Sequence, residues 1–177
     1  CHDCVVKQHN FKRGVAAFSY SQGMKKSMYA FKYNNRREYA KYYASVIAKE
    51  FKDVIFSWNC EVLVPVPLHR SKLIKRGYNQ AEILAKRLSE QLLIPMDNKI
   101  LTRTRNTAPL KELNEKERIT NLKSAFQTDE IKLKYKRIIL VDDIYTTGST
   151  IDECAWTLLR NGAEEVYFIT ACIGRGF

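Results

Sequence analysis

An α/β fold, a mainly parallel central sheet flanked by helices, is what this sequence predicts, and three observations lead there. Short apolar runs at Glu61–Val66, Arg137–Val141 and Glu165–Ile173 read as strands buried on both faces. Segments with helical spacing of apolar residues separate them. A length of 177 residues with 45% apolar content suits one domain with a sizeable core and room for a small appendage.

Taken in order, Val15–Tyr20 predicts a short strand, and Gly23–Tyr33 and Arg36–Phe51 predict helices, the second with Tyr39, Tyr43, Val46 and Ile47 on one face. Glu61–Val66 is a strand stopped by Pro67, and a basic connection follows. Tyr78–Leu93 is a helix whose stripe is Ala81, Leu84, Leu88 and Leu92. Lys99–Arg103 predicts a strand and Asn114–Leu122 a short charged helix. Arg137–Val141 is strand again, Thr150–Asn161 a helix that Gly162 ends, and Glu165–Ile173 the last strand. The chain shows no internal repeat and no low-complexity tract.

Composition narrows the function classes. No apolar run is long enough to cross a bilayer and no signal peptide is visible, so a cytoplasmic protein is expected. The chain begins at Cys1 rather than Met, which leads us to expect a segment upstream. Lys and Arg outnumber Asp and Glu by 30 to 19, and residues 1–50 carry ten of these cations against three acids, so an anionic partner is expected to meet the amino-terminal part. Cys60, Cys154 and Cys172 sit in or beside apolar segments and read as small buried hydrophobes. Cys1 and Cys4 differ, because C-x-x-C is half of a tetrahedral zinc site, with only His2 and His9 close by to complete it.

The stretch VDDIYTTGST, Val141–Thr150, carries the chemistry. Ligands of open α/β sheets gather beyond the carboxyl ends of strands, where Asp142 and Asp143 are expected to stand. The loop Thr146, Thr147, Gly148, Ser149, Thr150 leads into a helix whose first amides lack internal partners. Glycine lets those amides turn inward as a nest and the hydroxyls add donors, which suits a phosphate dianion. Two carboxylates would repel that phosphate, so they suit vicinal hydroxyls or an oxygen-preferring divalent cation. A phosphate with a diol a few ångströms away is a ribose 5-phosphate. A receiver domain also has paired acids after a strand, but near its start, and only 34 residues follow Asp143.

The order of four apolar residues, two acids and T-T-G-S-T resembles the signature of the type I phosphoribosyltransferases, which bind phosphoribosyl pyrophosphate (PRPP). That resemblance implies that Asp142 and Asp143 hold the ribose hydroxyls with Mg2+ and that the loop wraps the 5-phosphate. His69, Arg70, Lys72, Lys75 and Arg76 follow an earlier strand, where such a fold carries its pyrophosphate loop; His69, Arg70, Lys72 and Arg76 are the candidates. The wording VPVPLH and RGYNQAE resembles the ComF family of competence proteins, as do Thr107, Leu113, Arg118, Asn121, Ala125 and Phe126, and more weakly AFKYNNR. Leu110 stands where the family usually has glutamine, which weakens any polar role there. The family commonly begins with a zinc ribbon, so the resemblance implies that Cys1 and Cys4 close a ribbon begun upstream. Residues 1–10 are then its remnant, 11–55 an accessory region and 56–177 the phosphoribosyltransferase-like domain.

Three functions follow from these readings. One is an enzyme that transfers phosphoribosyl to an acceptor, with Arg103–Arg118 as a closing lid. Thr146 stands where several purine-transferring relatives have an acid, so purine salvage is disfavoured. The second is a competence factor that binds single-stranded DNA. Tyr29, Phe31, Tyr33, Tyr42 and Tyr43 interleave with Lys25, Lys26, Lys32, Arg36, Arg37 and Lys41, and aromatics among cations can stack bases while neutralising phosphates. Lys25, Lys26, Arg36 and Arg37 are the candidate contacts. The third is a PRPP-sensing regulator without turnover. The ComF resemblance implies a part in DNA uptake during natural transformation, with other competence proteins as partners and a place at the inner face of the membrane. No Walker A sequence is present, so ATP-driven strand separation belongs elsewhere.

Overall fold

The computed structural model describes residues 8–104, 125–128 and 133–174. In chain order the elements are β1 (Gly14–Ser19), α1 (Gln22–Tyr33), α2 (Tyr39–Ser57), β2 (Val62–Pro65), α3 (Arg70–Arg76), α4 (Gln80–Leu92), β3 (Leu101–Arg103), β4 (Phe126–Thr128), β5 (Arg137–Tyr145), α5 (Ser149–Arg160) and β6 (Glu165–Ile173). Four strands make the central sheet in the order β1-β6-β5-β2, every neighbouring pair parallel. The expected α/β architecture is observed. β3 and β4 form a separate antiparallel pair.

Alternation along β5 divides the core. Ile138 and Leu140 pack on one face with Cys154, Ala155 and Leu158 of α5 and with Phe11. Ile139 and Val141 pack on the other with Phe31 of α1, Tyr43 and Ile47 of α2, and Leu84 and Leu88 of α4. The stripe expected on α4, Ala81, Leu84, Leu88 and Leu92, is buried throughout. Residues 11–55 supply the edge strand β1, which pairs with β6, and two helices on one face.

Several boundaries moved, each for a physical reason. α2 runs to Ser57 rather than Phe51, because Ile55 continues the buried face and no glycine or proline interrupts it. The basic connection after β2 contains α3, a helix that buries none of its residues and so shows no apolar period; His69 caps its start and Gly77, at φ 81°, ends it. β4 is three residues long, too short for an alternation to be read.

β5 extends past Val141 to Tyr145, so Asp142 and Asp143 lie within the strand rather than beyond its end. On the β6 side the pairing continues through Tyr145 and Ile173. On the β2 side it stops at Pro65 opposite Val141, so the acids are at a strand end along that edge only. Asp143 is buried there at 8% exposure. The short helix expected at Asn114–Leu122 and most of the lid expected at Arg103–Arg118 lie outside the described residues.

Candidate functional site

Chain geometry between β5 and α5 builds the first half of the site. Gly148 takes φ 72° as the residue that caps α5, a conformation that disfavours any side chain. Space forbids one as well: a Cβ there would stand 2.4 Å from Tyr145 Oη. Asp152 N–H donates to the Gly148 carbonyl at 2.8 Å, the first bond of the α5 ladder, so the amides before it have no acceptor within the helix. Thr147 Oγ1 and Ser149 Oγ lie 3.0 Å apart. Asp142, Tyr145 and Thr146 to Ile151 line one small pocket, so all five residues of the expected cradle come together. Asp152, in the first turn of α5, turns its carboxylate elsewhere: Asn10 N–H donates to it at 2.8 Å and His9 Nδ1 lies 2.6 Å from it.

The acid pair is the second half. Asp143 N–H donates to Asp142 Oδ1 at 2.8 Å. Burial, then the adjacent Asp143 carboxylate, pushes the Asp142 carboxyl up to about 7, against the pull of that N–H and of Lys32. Lys32 Nζ, from the last turn of α1, lies 2.5 Å from Asp143 Oδ2. Burial opposes the Lys32 charge, but Asp143 and Asp142 outweigh it and hold its pKa above the ordinary lysine value.

The basic residues after β2 are brought only partly to this place. Lys72 has its pKa lowered by burial and then by Arg103 and Arg76, which marks three cations drawn together. Arg103 also feels the Asp142 carboxylate, and Arg76 feels Lys32. Arg76 donates to Gln80 Oε1 at 2.5 Å and lies over the Tyr33 ring at 4.9 Å. His69 is turned to its own helix, accepting from Ser71 N–H at 3.2 Å. Arg70 lines a separate concavity of about 280 Å3 with Leu73, Asn79, Glu82, Asn98 and Arg103 among its walls. Lys32 and Arg103 are not among the sequence-predicted site residues; AFKYNNR pointed to the first, and the second is read from the sequence as the start of the expected lid Arg103–Arg118.

The amino-terminal cations are less uniform than expected. Lys25 lies over the Tyr20 ring at 5.8 Å and Lys26 is exposed. Arg36 reaches Glu38 at 3.5 Å, and Arg37 packs over Tyr78 at 4.4 Å. Tyr29, Tyr33 and Tyr42 are exposed, but Phe31 and Tyr43 are core residues at 0% and 1% exposure and cannot stack bases. That corrects the expected platform: helical spacing put two of its five aromatics inward.

Magnesium fits the donor set here in one way. Among the described residues no group of three His, Cys, Asp or Glu could hold a metal ion. A hard cation that takes one or two carboxylates and completes its shell from ligand phosphates and water needs no such group. Cys1 and Cys4 lie outside the described residues. Among the described residues no helix is long and apolar enough to cross a membrane.

A family model described as Phosphoribosyl transferase domain matches residues 73–176. The chain belongs to that family. It is 32% identical to Competence protein F of Haemophilus influenzae, over 94% of this chain and 75% of that protein. It is 32% identical to DNA utilization protein YhgH of Escherichia coli, over 97% of this chain and 77% of that one. Competence protein ComFC of Bacillus subtilis is 30% identical over 92% of this chain, which covers 67% of it. The resemblance read from VPVPLH, RGYNQAE and VDDIYTTGST is borne out: this is a phosphoribosyltransferase-domain protein of the competence and DNA utilization family.

Proposed function

We propose that the chain binds PRPP with Mg2+ at the junction of β5 and α5 and serves DNA uptake through that site. The observation that carries this reading is Gly148, held at positive φ with no room for a Cβ, in a hydroxyl-lined loop one turn from an acid pair. The first amides of α5, which have no acceptor within the helix, take the 5-phosphate with Thr146, Thr147, Ser149 and Thr150. Asp142 and Asp143 accept from the ribose hydroxyls. Lys72, Arg76 and Arg103 draw the pyrophosphate. When the C1–O bond to pyrophosphate breaks, positive charge grows on the ribose beside the carboxylates and negative charge on the leaving group beside the cations. Magnesium, held by Asp142 and the ligand phosphates, supplies further charge to that leaving group when bound.

Calorimetric titration with PRPP, with and without Mg2+, tests the site, and pyrophosphate release across candidate acceptors tests turnover. Binding in the micromolar range that needs Mg2+ is expected, and absence of binding overturns the reading. Binding without release leaves a sensor or DNA factor rather than an enzyme. Single-stranded DNA is the macromolecular partner we propose, supported by exposed Tyr29 and Tyr33, whose rings lie 4.9 Å apart beside Arg76, and by the names of the relatives. Zinc held through Cys1 and Cys4 with further ligands remains a proposal, which metal analysis of the purified protein tests.

A further inference from the structure

The AFKYNNR segment stands outside the phosphate cradle, yet the fold pins it beside the acids. Tyr78 Oη donates to the Phe31 carbonyl, Arg37 lies over the Tyr78 ring, and Tyr33 receives Arg76. The last turn of α1 thus joins the segment before α4 to the acids of β5. Between Phe31 and Tyr33, Lys32 turns inward, its side chain 22% exposed against 11% for Asp143, with Nζ on Asp143 Oδ2.

Such a pair is a weak source of stability, because withdrawing both charges from water offsets most of their attraction. A packed apolar residue would serve the core as well, so the placement calls for another reason. An ammonium carries three donors. Asp143 accepts one of them and is the hydrogen-bond partner of Lys32 among the described residues.

We propose that Lys32 is a substrate-positioning residue of the phosphosugar site: it holds Asp143 Oδ2, leaves the other oxygen for a ribose hydroxyl, and keeps divalent metal off Asp143. This rests on the PRPP reading above. The sugar is then held by an Asp143 already neutralised by the protein, while Asp142 and the ligand phosphates hold magnesium. The amino-terminal region becomes part of the binding site.

Two measurements on the whole chain test this. Mn2+ binding without PRPP, followed by electron paramagnetic resonance, should be at least about tenfold tighter in Lys32→Met than in the unaltered protein, because Asp143 is then an uncompensated carboxylate. PRPP affinity at saturating Mg2+ should fall at least about tenfold in Lys32→Met, and Lys32→Arg should restore most of it with Mn2+ binding as in the unaltered chain. Met in the background of Asp143→Asn should change neither quantity further, and that double variant also serves if the single one folds poorly. Unchanged Mn2+ and PRPP binding in Lys32→Met overturns the proposal. If the unaltered chain binds no PRPP, the PRPP reading falls and the ribose role of Lys32 with it, while the Mn2+ measurement still decides whether Lys32 guards Asp143.

Discussion

The two halves of the site are built in different ways. The cradle is ten consecutive residues at most, from Val141 to Thr150, shaped by one strand, one glycine and one helix start. The charged half draws Lys32 from α1, Lys72 and Arg76 from α3, Arg103 from β3 and the two acids from β5. A local cradle depends on backbone angles and breaks by a single steric change. A dispersed cluster depends on how several elements pack together, and its charges answer to pH, salt and one another. Purely local features should therefore respond to shape, and dispersed ones to charge.

Asp142 offers the largest expected effect. Its folded pKa of about 7 lies above the ordinary value of 3.8, so the folded state keeps a proton that the unfolded chain releases. The cost is absent below about pH 4, grows between the two values and is complete above pH 7. Asp142→Asn lacks that cost. In metal-free buffer its stability advantage over the unaltered chain should be near zero at pH 4 and rise with pH to on the order of a few kcal/mol at pH 8 by urea unfolding. An advantage that does not vary with pH would show that the acids are not desolvated together. The same variant should lose most Mg2+-dependent PRPP affinity.

Gly148→Val is the counterpart in the cradle. The positive φ and the clash with Tyr145 should together cost about 2 to 4 kcal/mol, equally at pH 5 and pH 8, and remove PRPP binding. Wild-type thermal stability in this variant would mean that the loop adopts another path. A pH-dependent loss would tie the cradle to the charged half and blur the distinction.

The smallest effect on stability belongs to the amino-terminal surface. Changing Lys25, Lys26, Arg36 and Arg37 together to Ala should move stability by no more than about 1 kcal/mol and lower PRPP affinity far less than Asp142→Asn does, the remaining loss coming from Arg37, which packs on Tyr78. If this face meets single-stranded DNA, the log-log salt slope of binding should flatten by about 0.7 for each phosphate that is no longer neutralised. DNA binding with the original affinity and slope would remove these four from the interface and leave Tyr29, Tyr33 and Arg76 as the surface to test.

Much of this protein could be read from its sequence because the relevant signals are local. Apolar runs marked β2, β5 and β6, with Pro67 ending the first and Gly162 preceding the last, helical spacing marked α2, α4 and α5, and a glycine among hydroxyls after two acids marked the cradle. α3 escaped because a helix that buries nothing leaves no period, and β4 because three residues cannot alternate. Phe31 and Tyr43 stand in the expected aromatic platform although both are core residues, and for Tyr43 the face shared with Tyr39, Val46 and Ile47 already pointed inward. Only the tertiary structure decided that Lys32 meets Asp143, 111 positions later in the chain, and that Arg103 joins Lys72. The physical reason is range: backbone conformation is set by a residue and its neighbours, whereas the partner of a charge is set by how whole elements pack, which no short stretch of sequence contains.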